Sequence, residues 1–302
     1  MKTKRHAQAS AWGGLLLLMA ALVCFAVLDT TTKRVTAEVP PLMALWVLFG
    51  VQVLASGGYL LASGGLARAR GVRLRLHMVR GTLLLGVQML AFFSLMYLPV
   101  GEFTALAMTT PLLVTLLASR VLGEHVSVLR LLLVGGGLVG TLVIVRPGGN
   151  DLGWTIVLPL CLVMVNAVFQ LLASKMARTE DAITTLFLSS LTAFVLSSLV
   201  QPWVWVPVGS MGLWGGLLLM GLAAASGNLF FILAFERAPA ATLMPYMYLQ
   251  IGFGILGGWL VFDYVPDAWA QLGMGLVAAC GVAGALLTVH EARRRQGAVR
   301  QA

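Results

Sequence analysis

The chain has 302 residues, of which 59% are hydrophobic and only 10% charged, with a mean hydropathy of +0.93. Soluble proteins carry about 25% charged residues, so too little polar side chain is present to cover a water-facing surface, and the composition predicts an integral membrane protein. The net charge of +9 would raise nucleic acid as a partner of a soluble protein, but the basic residues sit at the ends of apolar runs and form no aromatic-interleaved patch, which excludes that class.

Ten apolar runs follow one another, at roughly 11–29, 41–62, 79–97, 102–122, 128–145, 153–174, 183–204, 212–235, 240–262 and 268–289. Each is close to the ~20 residues that cross a ~30 Å hydrocarbon core. They are continuous, not alternating in short segments, so they predict helices and not a β-barrel. The opening MKTKRHAQAS followed by 11–28 has the form of a signal peptide. No small-x-small cleavage site follows it, so it is expected to be retained as the first span.

Polar residues inside the runs are the candidate functional residues, because each needs a partner or a wet surface within the bilayer. Span 1 ends Asp29-Thr30-Thr31-Thr32-Lys33. Asp29 and Lys33 lie one helical turn apart and are expected to pair, as a structural ion pair or as a gate or coupling site. Gln52 and Gln88 are single amides in spans 2 and 3. Span 4 opens on Glu102, where a helix N-terminus favours a carboxylate. This residue is either an N-terminal charge or a proton-titrating or substrate-amine contact. Thr109 and Thr110 precede Pro111, which removes one backbone hydrogen bond and leaves a carbonyl near Leu106-Ala107 open to substrate, the threonines either serving that site or bonding within their own helix.

A charged hinge, Gly123-Glu124-His125, leads to span 5 and its Gly135-Gly136-Gly137-Leu138-Val139-Gly140. This matches the glycine spacing of a dinucleotide fingerprint but lacks the strand before it and the helix start that such a site needs. Within a membrane span the glycines predict close helix packing, with Gly136/Gly140, Gly212/Gly216 and Gly254/Gly258 as small-residue pairs. No nucleotide-binding lysine motif is present, and no cofactor is expected.

In span 6, Asn166 and Gln170 lie one turn apart with Ser174 beyond them, as interhelical glue or as part of a substrate surface. Span 8 carries Ser226-Gly227-Asn228, and span 9 carries Met244-Pro245-Tyr246-Met247-Tyr248-Leu249-Gln250. On an ideal helix Tyr246 and Tyr248 point about 160° apart. Cys24, Cys161 and Cys280 lie far apart inside runs, and His6, His77, His125 and His290 read as isolated residues outside the spans. Neither set has disulfide or metal-ligand spacing, so no metal site is expected.

With the N-terminus in the cytoplasm, 17 of the 20 basic residues fall on the inside, the exceptions being Lys33, Arg34 and Arg146. This bias predicts that both termini are cytoplasmic. Ten spans divide into two halves of five, 1–149 and 150–302, with RPGGNDL at 146–152 as linker. An odd number of spans per half inverts one half relative to the other. A shift of 140 residues pairs Leu98-Pro99 with Ala238-Pro239, Gly135 with Gly275, Glu124 with Tyr264 and Thr110 with Gln250.

Leu98 to Leu106, Thr109 to Leu112, Leu122 to Glu124 and Ile144 to Gly148 read LPVGEFTAL, TTPL, LGE and IVRPG. With NAVFQLLASKMARTEDAITTLF from Asn166 and AFERAPAATLMPYMYLQIGFGILGGWLVFDYVPD from Ala234, this pattern resembles the EamA-type transporters of the drug/metabolite transporter superfamily. The resemblance implies an all-α integral membrane protein of ten transmembrane helices in two inverted five-helix repeats. It implies no enzyme but a secondary transporter in the cell (inner) membrane, exporting a small polar or amphipathic metabolite such as an amino acid or derivative, with a proton as possible coupling ion. A monomer is plausible. An importer or nucleotide-sugar-type exchanger of the same superfamily, and a non-transporting sensor or scaffold, stay open as alternatives. Two departures from the family pattern stand out: Trp46-Val47-Leu48-Phe49 where span 2 often has an Arg, and Tyr264 where the family's F-G-E-x-P-D has its Glu.

Overall fold

In the computed structural model the described residues are 2–62, 73–114, 117, 128–145, 157–176, 180–237 and 243–301. The Gly123-Glu124-His125 hinge, the 146–152 linker and Ala238-Pro239 lie outside them. Among the described residues all regular structure is helical. The helices are α1 (Lys2–Val35), α2 (Pro41–Ala62), α3 (Leu74–Tyr97), α4 (Val100–Ala107), α5 (Val128–Val145), α6 (Val157–Met176), α7 (Ala182–Val204), α8 (Met211–Arg237), α9 (Leu249–Phe262) and α10 (Ala268–Gln301), with a 3-10 turn at Met244–Tyr248 before α9.

Local chemistry sets several boundaries. Asp181 caps α7 by accepting from the Thr184 amide at 3.0 Å and its hydroxyl at 2.9 Å, and Asp267 caps α10 through the Ala270 amide at 2.8 Å. Both satisfy N–H groups that a helix start leaves unpaired. α9 ends where Asp263 turns left-handed (φ 50°) and the Asp263 and Tyr264 amides return to Trp259 O and Gly258 O, a left-handed helix stop.

Six stretches are long and apolar enough to cross a bilayer: Trp12–Val35, Pro41–Ala62, Leu74–Tyr97, Ile183–Val204, Met211–Phe235 and Ala268–Leu287. Four are shorter apolar helices, Val100–Val114, Leu131–Ile144, Val157–Ala173 and Tyr246–Phe262. Spans 4 and 9 are therefore not the uniform helices that their apolar runs predict. Span 4 breaks into a turn at Met108-Thr109, because Pro111 has no N–H to return to Ala107 O. Span 9 tightens into the 3-10 turn around Pro245.

The outside of the bundle is apolar. Leu54 is 77% exposed, Trp203 80%, and Leu132 and Leu260 66% each, a surface suited to lipid. Inside, α1 packs on α8 and α9, α2 on α7 and α8, α3 on α6 and α7, α4 on α9 and α6, and α5 on α10. One apolar cluster centres on Phe49, Met43, Phe92 and Leu217, another on Leu95, Leu106, Ile144 and Met274. α5 and α10 touch backbone to backbone, since a Cβ on Gly140 would stand 2.9 Å from Gly273 O, and one on Gly273 2.7 Å from Gly140 O. α4 and α9 meet in the same way, with Gly101 against Ile255 and Gly254 against Thr104.

One reading of the N-terminal end of α3 needs correction and another an addition. His77 is not isolated outside a span: it lies in α3, fully buried, with Nε2 3.4 Å from Glu180 Oε2. Arg80, counted among the inside charges, does more than follow that bias. α3 starts several residues earlier than its apolar run, and Arg80 enters the bundle, with Nη1 donating to Ser189 Oγ at 2.7 Å.

Candidate functional site

At one end of the bundle, the C-terminal end of α1, the α3–α4 connection and the α9–α10 connection come together. Lys33 Nζ donates to Leu95 O at 2.9 Å and Leu98 O at 2.8 Å. The last carbonyls of a helix have no intrahelical donor, and a cation there also meets the negative end of the helix dipole. Lys33 is therefore taken by the end of α3 and does not pair with Asp29, contrary to the i, i+4 expectation. Asp29 is half-buried one turn earlier in α1. Glu102, in the first turn of α4, is only 6% exposed and accepts from Tyr264 Oη at 2.6 Å. It is also the acidic group whose charge acts on Lys33. The tyrosine that stands in place of the family's Glu thus reaches across the sequence to a carboxylate, while its neighbour Asp263 is an exposed helix stop.

The second group lies at the break after α4. Thr109 is buried and its hydroxyl donates to Leu106 O at 2.6 Å, which covers a carbonyl that the break exposes. Thr110 is fully buried, and Asn166 Nδ2 of α6 reaches its hydroxyl at 3.4 Å. Gln170 is half-buried one turn along α6, and Gln88 is half-buried on α3.

Gln250 is 4% exposed and does not join Thr110. With its amide oriented by its neighbours, Nε2 donates to Leu22 O at 2.9 Å and Oε1 accepts from the Ala26 amide at 3.3 Å. These two groups are the ones an α-helix pairs with each other, so Gln250 ties α9 to the i, i+4 ladder of α1. Tyr248 is 6% exposed and lies against Gly281 of α10, whereas Tyr246 is 42% exposed. Asn228 bonds within its own helix, to Ala224 O at 2.9 Å. Gln52 accepts from Ser190 Oγ at 3.1 Å. Trp46, within the segment that lacks the family's span 2 Arg, donates to Ser198 Oγ at 2.8 Å and stacks on Phe194.

Sequence reasoning missed Arg80, His77 and Glu180. The signal available was the i, i+3 spacing of His77 and Arg80, which places both on one face of a helix.

Residues 12–146 match the EamA-like transporter family. The chain is 29% identical to a riboflavin transporter of Rhizobium johnstonii over 89% of each chain. It is 28% identical to a pseudopaline exporter of Pseudomonas aeruginosa over 88% of this chain and 94% of that one. To an S-adenosylmethionine uptake transporter of Rickettsia conorii it is 26% identical, over 63% of this chain and 65% of that one. A protein of known crystal structure shares the fold, with a TM-score of 0.66 at 19% identity over 92% of this chain and 98% of that chain. Its helices, the match over residues 12–146 and its named relatives mark the chain as a multi-pass membrane transporter similar to the EamA-like transporters of the drug/metabolite transporter superfamily, and not an enzyme.

Proposed function

We propose that the chain is a secondary active transporter in which two inverted five-helix halves, 1–149 and 150–302, alternate around a substrate site near Thr110 and Asn166. The observation that carries this reading is the packing pattern. Replace every helix by the one five places on: α1·α8 becomes α6·α3, α3·α7 becomes α8·α2, and α1·α9 becomes α6·α4, while α2·α7, α4·α9 and α5·α10 map onto themselves. Each of these contacts is present. The interruptions agree with it, since α4 breaks at Met108-Thr109 and α9 is preceded by the turn at Met244–Tyr248. Repeat transporters build their substrate sites from such broken helices at the repeat interface.

Among the candidates Thr109, Thr110, Asn166, Gln170, Gln88, Asn228, Tyr246, Tyr248 and Gln250, the Thr110–Asn166 contact is placed at the centre because it joins the two proposed halves, whereas Gln250 ties α9 to α1 and Asn228 bonds within its own helix. Asp29, Lys33 and Glu102 form the gate or coupling group. The site takes a small polar or amphipathic metabolite. Export is the proposed direction, as in the name of one relative, the pseudopaline exporter, which aligns over 88% of this chain.

In proteoliposomes loaded with a panel of amino acids and related metabolites, the protein should give saturable flux of at least one compound, altered by a pH gradient if a proton is coupled. A panel without flux in either direction would leave only the sensor or scaffold reading. Reporter fusions after Gly149 and after Arg300 should report the periplasm and the cytoplasm of the cell membrane respectively. Signals from the same side for both would contradict the inversion of the halves.

A further inference from the structure

Arg80 is placed to do more than orient the chain. A basic residue that only follows the inside charge bias extends toward lipid headgroups and water. Arg80 instead turns into the bundle. Its guanidinium carbon lies 4.7 Å from the ring centroid of Phe169 on α6, and Nη1 donates at 2.7 Å to Ser189 Oγ on α7, a residue that is fully buried. Its Nε is shut off from solvent and has no hydrogen-bond partner among the described residues. Close helix contact holds this arrangement: a Cβ on Gly81 would stand 2.7 Å from Ser189 O, so α3 and α7 touch beside the guanidinium. With Nη1 used and one face covered by a ring, covalent geometry leaves the Nε/Nη2 edge. That edge presents two parallel N–H groups, the fork that fits the two oxygens of a carboxylate.

The location agrees. α3 and α6 run antiparallel, since Arg80 meets Phe169 and Gly86 faces Val165. Phe169 is three residues from Asn166, a separation of about 4.5 Å along the helix axis. Arg80 therefore stands roughly one helical turn from the Thr110–Asn166 contact, toward the end of α3 that the charge bias places in the cytoplasm. His77, one turn farther out, is fully buried and has a second unpartnered nitrogen, Nδ1.

We infer that the Nε/Nη2 edge of Arg80, backed by Phe169 and fixed by Ser189, binds the carboxylate of the transported molecule. The inference rests on the transport reading and narrows its substrate class to small carboxylates, with the remainder of the molecule extending toward Asn166 and Thr110.

The test uses purified full-length protein with amino acids and aromatic carboxylates, each beside its primary amide, in two arms: thermal shift in detergent and flux in proteoliposomes. Acids should raise the melting temperature of the wild type and be carried, their amides at least about tenfold less well. Arg80→Gln should lower binding and flux of acids by roughly 10- to 100-fold, the loss expected for a charge-assisted bidentate pair, beyond the fall in ligand-free melting temperature that loss of the Ser189 and Phe169 contacts brings. Arg80→Lys, which keeps the charge without the fork, should fall between. If Arg80→Gln does not fold, Phe169→Leu and Ser189→Ala, which loosen the guanidinium without removing it, should still reduce the preference for acids over amides.

Acids and amides carried alike, or acids carried by Arg80→Gln at the wild-type rate, would overturn the inference and leave transport intact. Binding of acids that depends on Arg80 without flux of any compound would overturn the transport reading and leave the site. Stabilisation by phosphatidylglycerol that depends on Arg80, with no response to any acid, would identify a lipid contact and overturn the inference.

Discussion

Replacing Gly140 with leucine is expected to leave little folded protein in the membrane. The added Cβ would stand 2.9 Å from Gly273 O and 3.1 Å from the Val277 amide nitrogen. Both are backbone atoms of α10 and cannot rotate aside. α5 and α10 must then separate along their shared seam, where Gly273 makes the reciprocal approach to Gly140 O. Overpacking costs about 1–3 kcal/mol where side chains can adjust. Here they cannot, so a cost at or above the top of that range falls on a stability of only about 5–15 kcal/mol.

The neighbouring glycines supply the controls. A Cβ on Gly136 meets only the Cys280 sulfur, at 2.7 Å, a movable side-chain atom, and one on Gly135 meets nothing within 4 Å. Yield and melting temperature in detergent should therefore fall steeply for Gly140→Leu, moderately for Gly136→Leu and hardly for Gly135→Leu. Equal effects at all three positions would contradict the packing reading, as would a tolerated Gly140→Leu.

The second large effect is expected at Lys33. Lys33→Met keeps most of the aliphatic stem but removes two charge-assisted hydrogen bonds, to Leu95 O and Leu98 O. Hydrogen bonds to charged groups contribute about 1.5–3 kcal/mol each when buried. This site is half-exposed, so a total loss of about 2–3 kcal/mol is expected, with a clear fall in melting temperature. Asp29→Asn should cost much less, because Asp29 does not hold Lys33. If Asp29→Asn and Lys33→Met were equally harmful and the double variant no worse, the two would act as a pair, and the assignment of Lys33 to the end of α3 would be wrong.

The sequence showed its solvent more readily than its contacts. Ten apolar runs with charges at their ends foretold a helical membrane bundle, because lipid leaves a chain few ways to satisfy its backbone. Pro111 and Pro245 marked the places where spans 4 and 9 break. Most of the polar contacts were hidden, for a physical reason. Lys33 and Gln250 bond to main-chain groups of distant helices, and a backbone carbonyl looks the same at every position of a sequence. The Asp29–Lys33 pairing was suggested by spacing along one helix, but α3 offers a stronger acceptor from another. Arg80 reads from sequence as a topology charge, because apolar content alone starts span 3 at residue 79. The helix begins at Leu74 and carries Arg80 inward to partners 89 and 109 residues away. The glycine pattern of span 5 was readable as packing, but not that Gly140, more than Gly136, sits against backbone.

If the Thr110–Asn166 contact lies on the substrate path between the halves, Thr110 itself should report it. Cys24, Cys161 and Cys280 are first replaced by alanine, and Thr110 by cysteine, a residue of similar size. Thiol labelling is then followed in proteoliposomes with each compound that the flux panel finds to be carried. Although Thr110 is fully buried in this structure, alternation should open it, so the cysteine should label slowly, and a carried compound should slow the labelling further at concentrations that saturate flux. A cysteine that never labels while transport proceeds, or one whose labelling no carried compound changes, would contradict the proposed site.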